Sequence, residues 1–170
     1  GSTRQSNLVA KRLMDKDAQL QMSTLNAYGN QQAKYEGEVY GSAKKLAQDG
    51  LLALSQNVKA DDPTTLDAYD KGLADLRNII IEHATKYGGV VEAKDGKSII
   101  PGPDGKPMRV NLAPSVAREI KTSLSEGISG TIDNLIDSGE MDAAKAMKEK
   151  YQPYLDLKAT EDLSKKFGKA

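Results

Sequence analysis

Residues 62–89 constrain the fold of this chain most strongly, because the sequence marks both ends of a helix there. Asp62 is a residue type that caps helix N-termini, and Pro63 suits the first turn, where its missing N–H is not needed. Gly88 and Gly89 follow at the other end, where glycine can adopt the left-handed conformation that ends helices. We therefore predict one helix over residues 62–88.

Apolar side chains within this stretch recur at spacings of three and four residues, which places them on one face of the predicted helix. The face consists of Leu66, Tyr69, Leu73, Leu76, Ile80, His83 and Tyr87. Such a stripe is typical of a helix packed lengthwise against others, as in a helical bundle or a coiled coil. The pattern predicts a mainly α fold and contains nothing specific to an enzyme.

The composition fits an α-helical protein and excludes several kinds of chemistry. The 170 residues suffice for one large domain or two small ones, with 38% hydrophobic and only 5% aromatic residues. The 24 basic and 24 acidic residues balance, so net charge does not draw the chain to nucleic acid or anionic membranes. The absence of cysteine excludes disulfides, thiol catalysis and thiolate metal sites. No apolar run is long enough to span a bilayer.

The N-terminal third also reads as helix. Gly1 and Ser2 are interpreted as residues left from cloning, and the remainder as a piece of a longer protein. Residues 6–58 carry a helical apolar stripe, which admits either one long helix or a hairpin turning at Gly29 and Asn30. The stripe keeps its phase through Gly29, which favours the single helix.

Residues 3–89 are therefore predicted to form a long antiparallel helical hairpin, because the connection at residues 59–62 is short. In this arrangement Leu46 and Leu54 should lie near the start of the second helix, around Leu66 and Tyr69. Further along, Tyr35 and Val39 should lie near Leu76 and Ile80, with His83 facing Tyr28 or Gln32. These are the predicted contacts of an elongated antiparallel bundle.

The apolar period changes after Gly89, which predicts a small β insertion at about residues 90–111. Asp95 and Gly96 lie between two β-prone runs, residues 90–93 and 98–100, and such a dipeptide favours a hairpin turn. Residues 101–105 predict a second turn, and residues 106–112 predict a third short strand. We therefore assign residues 90–112 to a β-hairpin or meander between helices.

Residues 113–170 are predicted to return to helix and to pack on the same core. A helix beginning at Ala113 and Pro114 should end at Ser138 and Gly139, followed by a short helix over residues 141–151. Thr160 is expected to cap a last helix. The core-facing stripe of the first of these helices consists of Val116, Ile120, Leu124, Ile128, Ile132 and Ile136, with Leu135 beside them.

No catalytic, cofactor-binding or metal-binding residue is predicted. His83 is the single histidine, and its place on the apolar stripe favours a structural role. The acidic pairs Asp15/Asp17 and Glu36/Glu38 are two residues apart on helices and do not share a face. Asp61/Asp62 is explained by capping, and a pairing of Glu82 with Glu92 can be judged only in three dimensions.

The loop over residues 102–106 contains glycines and a lysine but opens no helix, so we interpret it as a turn and not a phosphate loop. Asp95-Gly96 and Asp104-Gly105 lack the acidic series of a calcium loop. The lysines alternate with acids, as on an ordinary solvated face.

Residues 135–144, LIDSGEMDAA, resemble the turn between the two helices of a tetratricopeptide-type repeat. Gly139 stands at the turn and Ala144 at the close-packing position of the second helix. The likeness covers one helix pair near residues 128–151 and departs from the repeat at Lys148 and Tyr151. No second copy occurs at a fixed period, so no solenoid is predicted.

Long helices rich in Ala, Lys, Gln and Gly, a small β insertion and the run NLIDSGEMDAAKAMKEKYQPYL resemble helical segments of large bacteriophage virion proteins. The resemblance is to internal, DNA-ejection or tail-associated proteins. It implies a non-catalytic structural role in a virion, with other protein chains, other domains of the parent or a second copy of the chain as partners. Two alternatives are a helical-repeat adaptor that binds a peptide or protein, and a helical accessory part of a peptidoglycan-cleaving enzyme whose active site lies elsewhere.

Overall fold

The computed structural model describes residues 34–86, 88–93 and 95–169. Contacts divide the chain into two compact units, residues 1–41 and residues 42–170. The described part of the first unit, residues 34–41, is helical. The second unit contains the remaining helices and a small sheet, so the predicted mainly α fold with a β insertion is confirmed. The choice between one helix and a hairpin at Gly29 lies outside the described residues and stays a prediction.

The elements follow one another along the chain as the sequence pattern predicts. Helix α1 covers residues 34–55, and it is followed by helix α2, three strands, a pair of helices, a 3₁₀ turn and a last helix. Their bounds are α2 Thr65–Lys86, β1 Val90–Val91, β2 Ser98–Pro101, β3 Pro107–Leu112, α3 Pro114–Asp137, α4 Met141–Lys150, η1 Gln152–Tyr154 and α5 Leu157–Lys169.

Helix α2 ends as predicted but begins three residues later than Asp62. The Asp62 carboxylate accepts hydrogen bonds from the backbone N–H and the hydroxyl of Thr64, which closes a turn before the helix. At the other end Gly88 has φ of 78° and Gly89 N–H donates to the Ala84 carbonyl at 2.8 Å. This is the glycine cap that the sequence predicts.

The predicted burial of Leu46 on α1 is wrong. Tyr35 and Val39 belong to the first unit, so their predicted contacts with Leu76 and Ile80 stay predictions. In the second unit, Leu46 is 74% exposed, whereas Leu51 is fully buried. Leu51 was not among the predicted contacts, and it fills the space beside Gly72 of α2 and Gly127 of α3. The buried residue of α1 is therefore the one that faces two glycines of neighbouring helices, and not the one that the heptad pattern of α1 predicts.

Helix α1 lies alongside α3 and runs in the same direction. Lys44 Nζ is 2.6 Å from Glu119 Oε1, and Gln48 Nε2 donates to the Ser123 carbonyl at 2.8 Å. Leu51 approaches Gly127 one turn further on. Leu54 contacts α2 beside Gly72, one turn beyond the predicted neighbour Tyr69. The antiparallel hairpin of residues 3–89 itself stays a prediction, since most of its first helix lies outside the described residues.

The β insertion is a three-stranded antiparallel sheet with strand order β1-β3-β2. The predicted hairpin between residues 90–93 and 98–100 is wrong, because both of these runs pair with β3 and not with each other. The connection passes over β3 at Gly96, where a Cβ would lie 1.9 Å from the carbonyl carbon of Val110. The Gly96 N–H donates to the Ala93 carbonyl at 3.4 Å, as in a turn, and close backbone approach to β3 adds a second reason for glycine at position 96.

The boundaries of α3 and α4 agree with the predicted ones. In α3, Val116, Ile120, Leu124, Ile128, Ile132 and Leu135 are buried, while Ile136 is half-buried. Gly139, with φ of 78°, joins α3 to α4. Thr160 is not the cap of the last helix: the Asp156 carboxylate accepts the Ala159 N–H at 2.8 Å, so α5 begins at Leu157.

Candidate functional site

The most organised polar cluster in the described chain centres on Asp70, a buried acid on α2. Tyr151, at the end of α4, donates its hydroxyl to Asp70 Oδ1 at 2.6 Å. Lys150 Nζ lies 3.1 Å from Asp70 Oδ2. Both carboxylate oxygens are therefore bound by groups that lie about eighty positions away in the sequence. We call Asp70, Lys150 and Tyr151, together with Tyr69 and Tyr154, the Asp70 cluster.

Aromatic rings pack around this carboxylate. The ring centroids of Tyr69 and Tyr151 are 5.1 Å apart, and those of Tyr151 and Tyr154 are 6.3 Å apart. The Tyr69 hydroxyl donates to Thr131 Oγ1 of α3 at 3.1 Å, and Thr131 in turn donates to the Gly127 carbonyl. The cluster thereby connects α2, α3 and α4 through buried hydrogen bonds.

The turn between β2 and β3 contacts the same cluster. Gly102 N–H donates to the Lys106 carbonyl at 2.7 Å, and Gly105 has φ of 81°, so residues 102–106 form the predicted turn. A Cβ at Gly105 would lie 2.3 Å from the backbone oxygen of Asp70. The turn therefore approaches α2 at Gly105, where the absence of a side chain leaves room for the backbone of Asp70.

A cavity of about 220 Å³ opens at this junction. Asp67, Asp70, Lys106, Lys150, Tyr151 and Tyr154 contribute polar groups to its wall. The Tyr154 hydroxyl is buried and has no hydrogen-bond partner among the described residues. The cavity carries acids and lysines in equal number, so its wall has no net charge.

The tyrosines of the cluster are held in their neutral, hydrogen-bonding form. Burial raises the pKa of Tyr151 far above its usual value, and its hydrogen bond to the negatively charged Asp70 raises it further. Burial also raises the pKa of Tyr69, with a smaller opposing effect from Thr131. For Tyr154, burial again comes first, followed by the charges of Asp70 and Asp104. A tyrosine of raised pKa is a hydrogen-bond donor and a poor base at neutral pH.

A second buried polar contact lies further along α2. Arg77 is only 7% exposed, and its Nη2 is 2.5 Å from Glu92 Oε1, just after β1. Its Nη1 donates to Asn78 Oδ1 at 2.8 Å, while its Nε has no partner among the described residues. Glu92 is thus paired with an arginine, and Glu82 is exposed. Instead of the Glu82–Glu92 pairing considered from the sequence, the structure has an Arg77–Glu92 ion pair, which connects the end of β1 to α2.

The residues weighed in the sequence have mainly structural surroundings. His83 is half-exposed, and its expected neighbours Tyr28 and Gln32 lie outside the described residues. Asp15 and Asp17 also lie outside them. Glu38 is exposed, and Asp62 forms the turn before α2, where the Thr64 hydrogen bonds lower the pKa of its carboxyl. Among the described residues no group of three or more His, Asp or Glu could hold a metal ion.

Sequence reasoning missed the Asp70 cluster. Asp70 and Arg77 are charged residues one helical turn from apolar ones, and such residues are normally exposed. Their one sequence signal is a seven-residue separation, which puts them on the same side of α2 as Leu66 and Leu73. Tyr151 was noted only as a departure from the tetratricopeptide pattern.

Two further findings concern the chain as a whole. No described helix is long and apolar enough to cross a membrane. Comparison with protein-family models, with curated proteins and with solved structures finds no match to this chain.

Proposed function

We propose that this chain is a non-catalytic structural and interaction segment of a larger protein, and that it associates with a second copy through the exposed apolar side of α1 around Leu46. Leu46 carries the proposal. In the second unit Leu46 is 74% exposed and Leu52 is 39% exposed. In the sequence Leu46 continues a spacing of three and four residues that is typical of a coiled-coil seam, which pairs helices of like pattern.

The chemistry of the Asp70 cluster supports a structural role. The Asp70 carboxylate is already bound by Tyr151 and Lys150, and the tyrosine hydroxyls stay neutral. Such groups hold α2, α3, α4 and the β2–β3 turn in one arrangement. A catalytic acid or base needs a lone pair or proton directed at a substrate, and this carboxylate directs both of its oxygens at its own chain.

The larger protein is proposed to be a bacteriophage virion component, of the internal, DNA-ejection or tail-associated kind. The support is the resemblance of the helices and of residues 134–155 to such proteins. Gly72 and Gly127 add to it, because they let Leu51 pack closely between neighbouring helices. On this proposal the segment resides in the virion, and its partners are other copies, other virion chains or other domains of the parent.

The association is tested by light scattering of the purified 170-residue chain over a range of concentrations. We expect a mass above that of the monomer that rises with concentration, and we expect Leu46→Glu to return the chain to monomer. Lys45→Glu is the matched control: it adds an acid at the neighbouring exposed position and changes the charge by two units rather than one. A monomer at every concentration, or equal effects of both variants, would overturn the self-association.

The non-catalytic assignment has its own test. Purified chain is incubated with peptidoglycan, and the release of soluble fragments is measured beside a buffer control. We expect no release above the control. Turnover that is lost in Asp70→Asn would assign the cluster to catalysis and contradict the proposal.

A further inference from the structure

An open cleft of about 330 Å³ lies between strand β2 and helix α3. We call it the β2–α3 cleft, and its lining consists of residues 97–100, side chains of α3 between residues 117 and 124, and residues 153–154. It adjoins the Asp70 cavity, because Tyr154 contributes to the walls of both. Three aliphatic side chains of the lining are at most 2% exposed and offer a ligand almost no surface, namely Ile100, Ile120 and Leu124. The exposed side chains of the lining therefore decide what can bind.

The charged side chains of this lining are all cations, namely Lys97, Arg118 and Lys121, and all three are exposed. No acid contributes to the lining, whereas two acids contribute to that of the Asp70 cavity. Within the described part of the chain none of the three cations forms an ion pair, unlike Lys150, which is paired with Asp70. The cleft therefore carries positive charge that no described acid neutralises.

The three cations come from two separate elements. Arg118 and Lys121 are three positions apart on α3, so they are neighbours on one face of the helix. The acid between them in sequence, Glu119, is paired with Lys44 of α1 and does not line the cleft. Lys97 comes from the other element and directly precedes β2. Like charges that are this close repel each other, and a bound anion would remove the repulsion, so the arrangement favours a negatively charged ligand.

We infer that the β2–α3 cleft binds the phosphate group of a small phosphorylated molecule. A phosphate monoester carries a charge of about −1.5 to −2 at neutral pH, so it suits several cations better than a carboxylate, whose charge is smaller. The Arg118 guanidinium can donate two parallel hydrogen bonds to phosphate oxygens, while Lys97 and Lys121 supply point charges. The half-buried Ser98 hydroxyl in the same lining is a further donor. The cleft is larger than a phosphate group, so part of the organic portion of the ligand fits beside it.

A phosphodiester strand presents related oxyanion groups, but the balanced charge of the chain favours the small ligand. A long polyanion gains affinity from many cations along its path, and the 24 basic residues of this chain are offset by 24 acidic ones. The inference goes beyond the proposed self-association. It rests on residues of β2 and α3 that are remote in sequence from Leu46, so either proposal can fail without the other.

The test uses the full 170-residue chain carrying Leu46→Glu, so that binding is read whether or not α1 self-associates. Pyrophosphate is titrated into the chain and binding is followed by calorimetry, beside acetate at equal ionic strength. We expect saturable pyrophosphate binding that weakens as salt is added, because the three cations are exposed. The double variant Arg118→Glu/Lys121→Glu should weaken this binding by about tenfold or more, since repulsion replaces attraction. Lys97→Gln, which removes the cation before β2, should weaken it in the same direction by a smaller factor.

The matched control is Lys71→Glu/Lys145→Glu, which makes the same charge change at two exposed lysines that do not line the cleft. It should bind pyrophosphate as tightly as the Leu46→Glu chain. Unchanged circular dichroism and thermal melts verify that each variant is folded, as expected for substitutions at exposed positions. Arg118→Gln, which removes the charge without reversing it, tests the same contact should the double variant unfold.

Absence of saturable pyrophosphate binding, or equal weakening by the two double variants, would overturn the inference. Equal affinity for acetate would contradict the phosphate assignment, because it would show that the cleft does not distinguish phosphate from a carboxylate. A short oligothymidine strand is titrated in the same way to separate the two sources of phosphate. We expect it to bind more weakly than pyrophosphate, and tighter binding would overturn the assignment to a small ligand.

Discussion

Leu51 Cδ2 lies 2.7 Å from the position that a Cβ on Gly72 would occupy. On its other side, Leu51 Cδ1 lies 3.2 Å from the corresponding position on Gly127. Leu51 is fully buried, so it cannot move away from a new side chain on one helix without pressing on the other. The packing of α1 against α2 and α3 therefore depends on these two glycines.

The first prediction concerns this contact. Gly72→Ala should destabilise the chain by about 1–3 kcal/mol, because overpacking outweighs the gain in helix propensity. Gly130→Ala is the control, since a Cβ there meets nothing within 4 Å. It should stabilise the chain by about 0.5–1 kcal/mol. Urea unfolding followed by circular dichroism measures both, and stabilisation by Gly72→Ala would show that Leu51 has room to move.

The second prediction compares one substitution at two leucines. Leu76 is fully buried in α2, and Leu76→Ala should cost about 2–5 kcal/mol of unfolding free energy. Leu46 is 74% exposed, and Leu46→Ala should change the stability of the monomer by no more than about 0.5 kcal/mol. Thermal melts at low protein concentration measure both. Similar losses at the two positions would mean that Leu46 is buried by its own chain.

These leucines also show what the sequence could and could not predict. The α2 and α3 stripes were predictable because both ends of each helix are marked locally and most residues of each predicted stripe are buried. The α1 stripe has the same period, yet Leu46 is exposed and Leu51 is buried. Periodicity tells which residues share a face, but the small residues of other helices decide which face is covered, and that information is not local.

The sheet and the site illustrate the same limit. Asp95-Gly96 indicates a turn locally. It does not tell that β3, which comes later in the chain, lies between β1 and β2 in the sheet. The Asp70 cluster joins residues about eighty positions apart, and no spacing rule links Asp70 to Tyr151. In contrast, the cap at Asp156 was available in the sequence, since an aspartate directly before Leu157 is a better N-cap than Thr160 within the helix.

The third prediction compares two neighbouring tyrosines in the Asp70 cluster. Tyr151→Phe removes a hydrogen bond to a buried carboxylate and should cost about 1–3 kcal/mol. Tyr154→Phe removes a buried hydroxyl that has no partner among the described residues, so its cost should be below about 0.5 kcal/mol. Denaturant unfolding of the two variants tests this difference. Equal losses would mean that the Tyr154 hydroxyl is satisfied, for example by water.

The fourth prediction concerns alkaline pH. The pKa values of Tyr69, Tyr151 and Tyr154 are raised in the folded chain, while in the unfolded chain they are about 10. Above this pH the unfolded state releases protons that the folded state retains, so stability falls as pH rises. Each tyrosine contributes a slope of up to about 1.4 kcal/mol per pH unit.

Unfolding free energies measured from neutral pH upward, with tyrosinate absorbance as the second observable, should show this loss beginning near pH 10. Tyr151→Phe should reduce the alkaline slope, since one of the retained protons is removed. An alkaline slope equal to that of the parent chain would show that Tyr151 ionises as easily in the folded state as in the unfolded one.

The proposed association through α1 is tested most directly by cross-linking, because the chain contains no cysteine. A single Leu46→Cys variant is oxidised under mild conditions, beside a Lys71→Cys variant whose thiol is exposed on α2 away from the stripe. The account predicts a disulfide-linked dimer of the Leu46→Cys chain, formed quickly, and little dimer of the Lys71→Cys chain. Equal dimer formation by both variants, or none by either, would contradict self-association through the α1 stripe.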